Sequence, residues 1–192
     1  MTDPLRRAGA GTLADGSQLV WSVADGRRGR RWRAVASVDG AITHALLLEI
    51  DTAGRPSRLE LTTPAGLLTL HPEEGSGELH GNVVTVSGVR HLALPWSEAH
   101  GLEVDGRPLA AAVTAHRLAG STAVGEGRTV LIVAISADLD VTAGNRRYDR
   151  VGEGEWRIAT IDGHVAPVRL AIDERGVPIL PGDAPEWPLE LD

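Results

Sequence analysis

Apolar and polar residues alternate along most of this chain in short runs bounded by turn signals. In RRWRAVASV and SRLELT apolar side chains recur at every second position, the period of a strand with one buried face. Asp-Gly pairs stand at 15–16, 25–26, 39–40, 105–106 and 162–163, and this dipeptide suits the positive φ angles of tight hairpin turns. The pattern predicts strands over Gln18–Val23, Arg31–Val38, Ala41–Asp51, Ser57–Thr62, Leu67–Pro72, Asn82–Val86 and Val89–Trp96. Further strands are predicted over Ala111–Leu118, Arg128–Asp138, Trp156–Ile161 and Pro167–Asp173. The alanine-rich stretch Pro108–Leu118 reads equally as a short helix, and Ser97–Gly101 as one helical turn.

Two runs depart from simple alternation. In TVLIVAISADL, Val130, Ile132 and Ala134 make one apolar face and Leu131, Val133 and Ile135 the other, as in a strand buried on both sides. In ITHALLLEI one row holds Ile42, His44, Leu46, Leu48 and Ile50. Either strand is suited to wall a hydrophobic cavity. The expected architecture is mostly β: a single curved antiparallel sheet, or open half-barrel, with short helical segments. A length of 192 residues fits one such domain over 1–192, with 1–16 and 177–192 as extended or flexible ends.

Composition narrows the function classes. The net charge of −7 argues against a general nucleic-acid binder. There is no cysteine, so neither a disulfide nor a thiolate metal site can form. No apolar run has the length of a signal peptide or membrane span, which makes the cytoplasm the expected compartment. The chain has no Phe, one Tyr and one Met against five Trp. Its core must be largely aliphatic, which permits an internal cavity.

Candidate chemistry is sparse. His71 and His80 flank the acidic turn of HPEEGSGELH and His91 follows, but no recognised metal-ligand spacing occurs and no metal or other cofactor is expected. WSEAH holds Ser97, Glu98 and His100, yet triads are built from separate segments. GRRGRRWRA reads as a charged hairpin tip entering a strand, with Arg31 and Arg33 wet and Trp32 inward. Trp32 and Trp96 are amphipathic residues suited to a pocket rim. His44 sits in an apolar row, and Tyr148 is bracketed by arginines in NRRYDR. Alternation in GVRHLALPW places His91 and Trp96 on opposite faces, with Pro95 marking a strand end.

The segment Ala137–Gly182 resembles the bacterial glycolipid-binding family. The matching pieces are Arg147-Tyr148, Trp156, Asp173-Glu174-x-Gly176 and Pro181-Gly182, in the family's order. The early hairpins RWRAVASVDGAITHALLLEIDTAGRPSRLELT fit the family's opening in length and order. In mid-chain, where the family carries a loop rich in proline and asparagine, this chain has LPWSEAHGLEVDGRPL. The resemblance implies a lipoprotein-carrier-like curved sheet around a hydrophobic cavity.

The combined expectation is non-catalytic binding of an amphipathic lipid or glycolipid. Trp32, His44, His91, Trp96, His100 and Tyr148 are the candidate ligand contacts. The alternatives are a small-molecule hydrolase or isomerase using His91, Glu98 and His100, and a homodimer that buries an apolar sheet face.

Overall fold

The computed structural model describes residues 4–73, 75–161, 166–179 and 187–188. They form two compact units, each with its own sheet. The first comprises Met1–Ser97, Ala137–Leu139 and Leu180–Asp192; the second comprises Glu98–Ser136 and Asp140–Ile179. The mostly β class expected from the sequence is what the chain adopts. The single sheet is corrected to two, and the short helical segments to one helix among the described residues.

The first unit is an up-and-down run of antiparallel strands: β1 (Arg6–Thr12), β2 (Gln18–Gly26), β3 (Gly29–Val38), β4 (Ala41–Ile50), β5 (Pro56–Thr63), β6 (Gly66–Pro72), β7 (Glu78–Thr85) and β8 (Gly88–Pro95). The last strand of the chain, β14 (Trp187–Pro188), pairs antiparallel with β1. Of the terminal stretch 177–192, residues 180–186 and 189–192 lie outside the described residues. The Asp39-Gly40 turn shows why Asp-Gly marks a hairpin: Asp39 has φ 50° and Gly40 φ 80°, the two positive angles of a type I′ turn.

One face of this sheet is dry. Leu19, Trp21, Trp32, Leu48, Leu59 and Leu68 are all at most 4% exposed. Trp21 and Trp32 pack with ring centroids 6.0 Å apart. β1 was missed because its RRAGAGT has no large apolar residue, and the reason is steric. A Cβ on Gly9 would lie 2.7 Å from the Trp21 ring, so the small residue makes room for the indole. A bulge at Thr43 sets Ile42 opposite Ser37 while His44 stays opposite Ala36. Ile42 therefore leaves the apolar row, 66% exposed, whereas His44, Leu46, Leu48 and Ile50 remain buried. On the outer face, paired positions Val20, Val35, Ala45, Thr62, Leu67, Val84 and Val89 form one uncharged row across seven strands.

The second unit runs β9 (Gly101–Val104), α1 (Pro108–Ala119), β10 (Gly127–Ile135), β11 (Val141–Gly152), β12 (Glu155–Thr160) and β13 (Val168–Ala171), in sheet order β13-β12-β11-β10-β9. β9 and β10 are parallel, linked through the helix, so pairing is antiparallel everywhere else in this sheet. The strand read over Ala111–Leu118 is this helix, with Pro108 in its first turn. Ala112 and Ala115 are 0% exposed and meet Val130, Ile132, Tyr148, Trp156 and Ile158 of the sheet. Small side chains let the helix lie close on the strands. The stretch expected as a helical turn at 97–101 is a non-helical turn leading into β9, held by Arg117, whose guanidinium donates to the Glu98, Ala99 and His100 carbonyls.

Candidate functional site

The expected contact residues are divided between the two units. Trp32, His44, His91 and Trp96 belong to the first unit, and His100 and Tyr148 to the second. Trp32 is fully buried on the dry face, opposite Leu48, and His44, opposite Ala36, is 4% exposed. On β8, alternation runs as the sequence suggests: Leu92, Leu94 and then Trp96 are half-buried, while Val89, His91 and Ala93 are exposed. The His91 Nδ1 meets Asn82 Oδ1 at 2.5 Å across the β7–β8 pair. His100 is half-buried. The doubly apolar strand β10 has Leu131 46% exposed, whereas Val133 and Ile135 on that same face are buried.

Tyr148 leads to the most organised polar group of the second unit. Its residue is fully buried against Trp156, with ring centroids 6.5 Å apart in an edge arrangement. Its hydroxyl donates to Glu103 Oε1 at 2.9 Å, and Arg146 Nε donates to Glu103 Oε2 at 2.9 Å. Burial, then the Glu103 charge, holds the Tyr148 phenol well above its ordinary pKa, so it serves as a fixed donor. Glu103 and Arg146 neutralise each other where both are half-buried. The sequence hid this group because Glu103 lies in a four-residue strand and Arg146 in the polar strand β11, neither of which alternation revealed. Only pairing of β9, β10 and β11 brings Glu103 and Arg146 together.

Arg146 also borders a depression on the helix-bearing face of the sheet. α1 covers Val130 and Ile132, but the row continues past them to Ala134 on β10, paired with Thr142 on β11. Ala134, Thr142, Gly144, Arg146, Thr160 and Ile161 line an open hollow of about 420 Å³, with Ala143 and Asn145 at its margin. Small apolar residues floor it. Thr160 Oγ1 is buried there with no hydrogen-bond partner, a state that ordinarily costs free energy.

The fold has a counterpart among solved structures. The chain shares its fold with a DUF1089 family protein from Pseudomonas aeruginosa. The two superpose with a TM-score of 0.55 at 18% identity, over 95% of this chain and 92% of that one. At that identity the likeness concerns the fold. No family model and no curated protein matches the sequence.

One further cluster stands apart. In the β6–β7 hairpin, His80 Nε2 lies 3.0 Å from both Glu73 Oε2 and Glu78 Oε2. Both carboxylates are exposed. The three groups share one hairpin tip, and exposed acidic groups of this kind occur commonly without an ion. No helix among the described residues is long and apolar enough to cross a membrane.

Proposed function

We propose that this protein binds an amphipathic small molecule, a lipid or glycolipid, without chemical conversion, in the depression beside Arg146. The observation that carries this reading is the juxtaposition in one hollow of an apolar floor and a buried hydroxyl without a hydrogen-bond partner. Ala134, Gly144 and Ile161 suit a hydrocarbon portion, and Thr160 Oγ1 suits a polar head. Arg146 is held in place by Glu103 and brings no net charge to the hollow. Such an arrangement orients a ligand. A nucleophile would need an adjacent base, and Tyr148, held protonated, is not one.

A second reading, association of two copies, is favoured by the uncharged row on the outer face of the first sheet. Val20 and Val89 in it are each 59% exposed. Seven strands about 4.8 Å apart make the row ~29 Å long, and exposed apolar stretches of that extent commonly mark association sites.

Native mass spectrometry of protein purified without detergent, followed by organic extraction, tests both. A co-purifying amphiphile that is lost in Ala134→Leu, which fills the hollow, is the expected result. Absence of any bound species, together with no uptake of a fluorescent fatty acid or lysolipid, overturns the binding reading. The monomer-to-dimer ratio in the same spectrum reports on the second reading.

A further inference from the structure

The face of the second sheet opposite α1 carries a row of paired residues in the order Gly127, Asp149, Arg157, Arg169, across β10 to β13. Paired side chains share a face and stand roughly 5 Å apart at Cβ. Arg157 and Arg169 are therefore like charges set directly opposite each other, an arrangement that is unfavourable when left uncompensated. The chain as a whole is acidic, so a local excess of arginine is not what composition alone supplies.

The one carboxylate in the row is already committed. Asp149 Oδ1 accepts from Arg147 Nε at 2.9 Å, and Asp149 Oδ2 accepts from Arg157 Nη2 at 2.9 Å and from its Nε at 3.3 Å. Arg169 makes no ion pair or hydrogen bond among the described residues. Glu155 lies on the same face one pair further on, opposite Ala171. Its carboxylate folds back over Gly152, where an added Cβ would meet Glu155 Oε2 at 3.2 Å.

The platform is also pre-ordered. At Gly127 a Cβ would lie 2.1 Å from Asp149 Oδ1 and 2.8 Å from Arg147 Nε. The absent side chain lets the Asp149–Arg147 pair lie flat across β10. Asp149 thereby fixes Arg157 by its Nε edge and leaves Nη1 uncommitted, on the residue paired with Arg169.

We propose that Arg157 and Arg169 form a binding site for a tetrahedral oxyanion, a phosphate or phosphate monoester, braced by Asp149 and Arg147. Two arginines set opposite each other on neighbouring strands offer several N–H donors to one anion, the donor set that phosphate oxygens match. The bound anion relieves the repulsion between the opposed arginines. This site lies on the opposite face of the sheet from the depression and does not depend on what that hollow binds.

Titration calorimetry of inorganic phosphate into the full-length protein at low ionic strength tests the site. Saturable binding is expected, and Arg157→Gln and Arg169→Gln should each weaken it about tenfold. Arg33→Gln, which removes an exposed arginine of the first unit, should leave it unchanged. Circular dichroism confirms that each variant is folded. Sedimentation with phosphatidylcholine vesicles, with and without phosphatidic acid, separates the two sources of the anion. Capture by phosphatidic acid that depends on Arg169 identifies a lipid headgroup, and phosphate binding without capture identifies a soluble phosphate. Absence of saturable phosphate binding, or binding by both glutamine variants as tight as the parent's, overturns the proposal.

Discussion

Tyr148 shows how much one residue's meaning depends on its neighbours. Bracketed by arginines in the sequence, it looks like a surface or rim residue. In the structure its ring is buried beneath α1 and its hydroxyl is tied to Glu103. It is also the chain's single tyrosine, so its ionisation can be read without interference from other phenols. Its folded pKa is raised above the ordinary value of 10.0. The unfolded chain would ionise first, so this contribution to stability is fully present below pH ~10 and is lost as pH rises from there through the raised folded value. Alkaline titration should show no phenolate absorbance until circular dichroism reports unfolding, both changing in one step. Phenolate appearing in the folded protein near the ordinary value would contradict a buried Tyr148. Tyr148→Phe should cost about 1.5–3 kcal/mol in urea denaturation, because it removes a bond to a charged acceptor.

At the scale of elements, strands with one large apolar face were legible and others were not. β2 to β6 fall close to their expected positions because Leu, Val and Trp alternate with polar residues. β1 is built of small residues that accommodate Trp21. β11 escaped because its inward positions are Gly144, Arg146 and Tyr148, which do not read as an apolar face. β9 escaped because four residues are too short a run for a period. The helix was one of two readings for its stretch, since alanine serves either element and packing decides. Its N-terminus remains imperfect: Arg107 occupies the cap with no side-chain cap hydrogen bond and places a positive charge at the positive end of the helix. Arg107→Asp should raise stability by ~0.5–2 kcal/mol, measured as a higher midpoint in thermal or urea denaturation. An unchanged or lower midpoint would mean that the arginine's own contacts outweigh the cap.

For the whole molecule, the acidic charge is offset locally by arginine. The Asp149 carboxyl is held below the usual carboxylate range because the Arg157 hydrogen bond, joined by Arg147, outweighs burial. At Asp51 burial would raise the pKa, but hydrogen bonds from the Arg55 and Ala53 amides and the Arg55 guanidinium lower it. Both groups therefore add stability that is fully present above their unfolded value of ~4 and is lost as pH falls through the lower folded values. Urea denaturation across acidic pH should show stability falling below pH ~4, and falling less steeply in Asp149→Asn. Equal slopes for that variant and the parent would remove Asp149 from the account.

The sequence by itself determined the class of structure. Alternation and Asp-Gly turns dictate short antiparallel strands, because the strand period and the positive φ of tight hairpins are local properties of the chain. It also determined that Trp32 and His44 point inward, since they share a parity with Leu46, Leu48 and the alanines of β3. Only the tertiary structure decided the division into two sheets, the outward turn of Ile42 at a bulge, and the meeting of Glu103 with Arg146 and Tyr148. The same holds for the row that sets Arg157 against Arg169. Each of these depends on which strand lies beside which and in what register, and pairing between distant segments leaves no period along the chain.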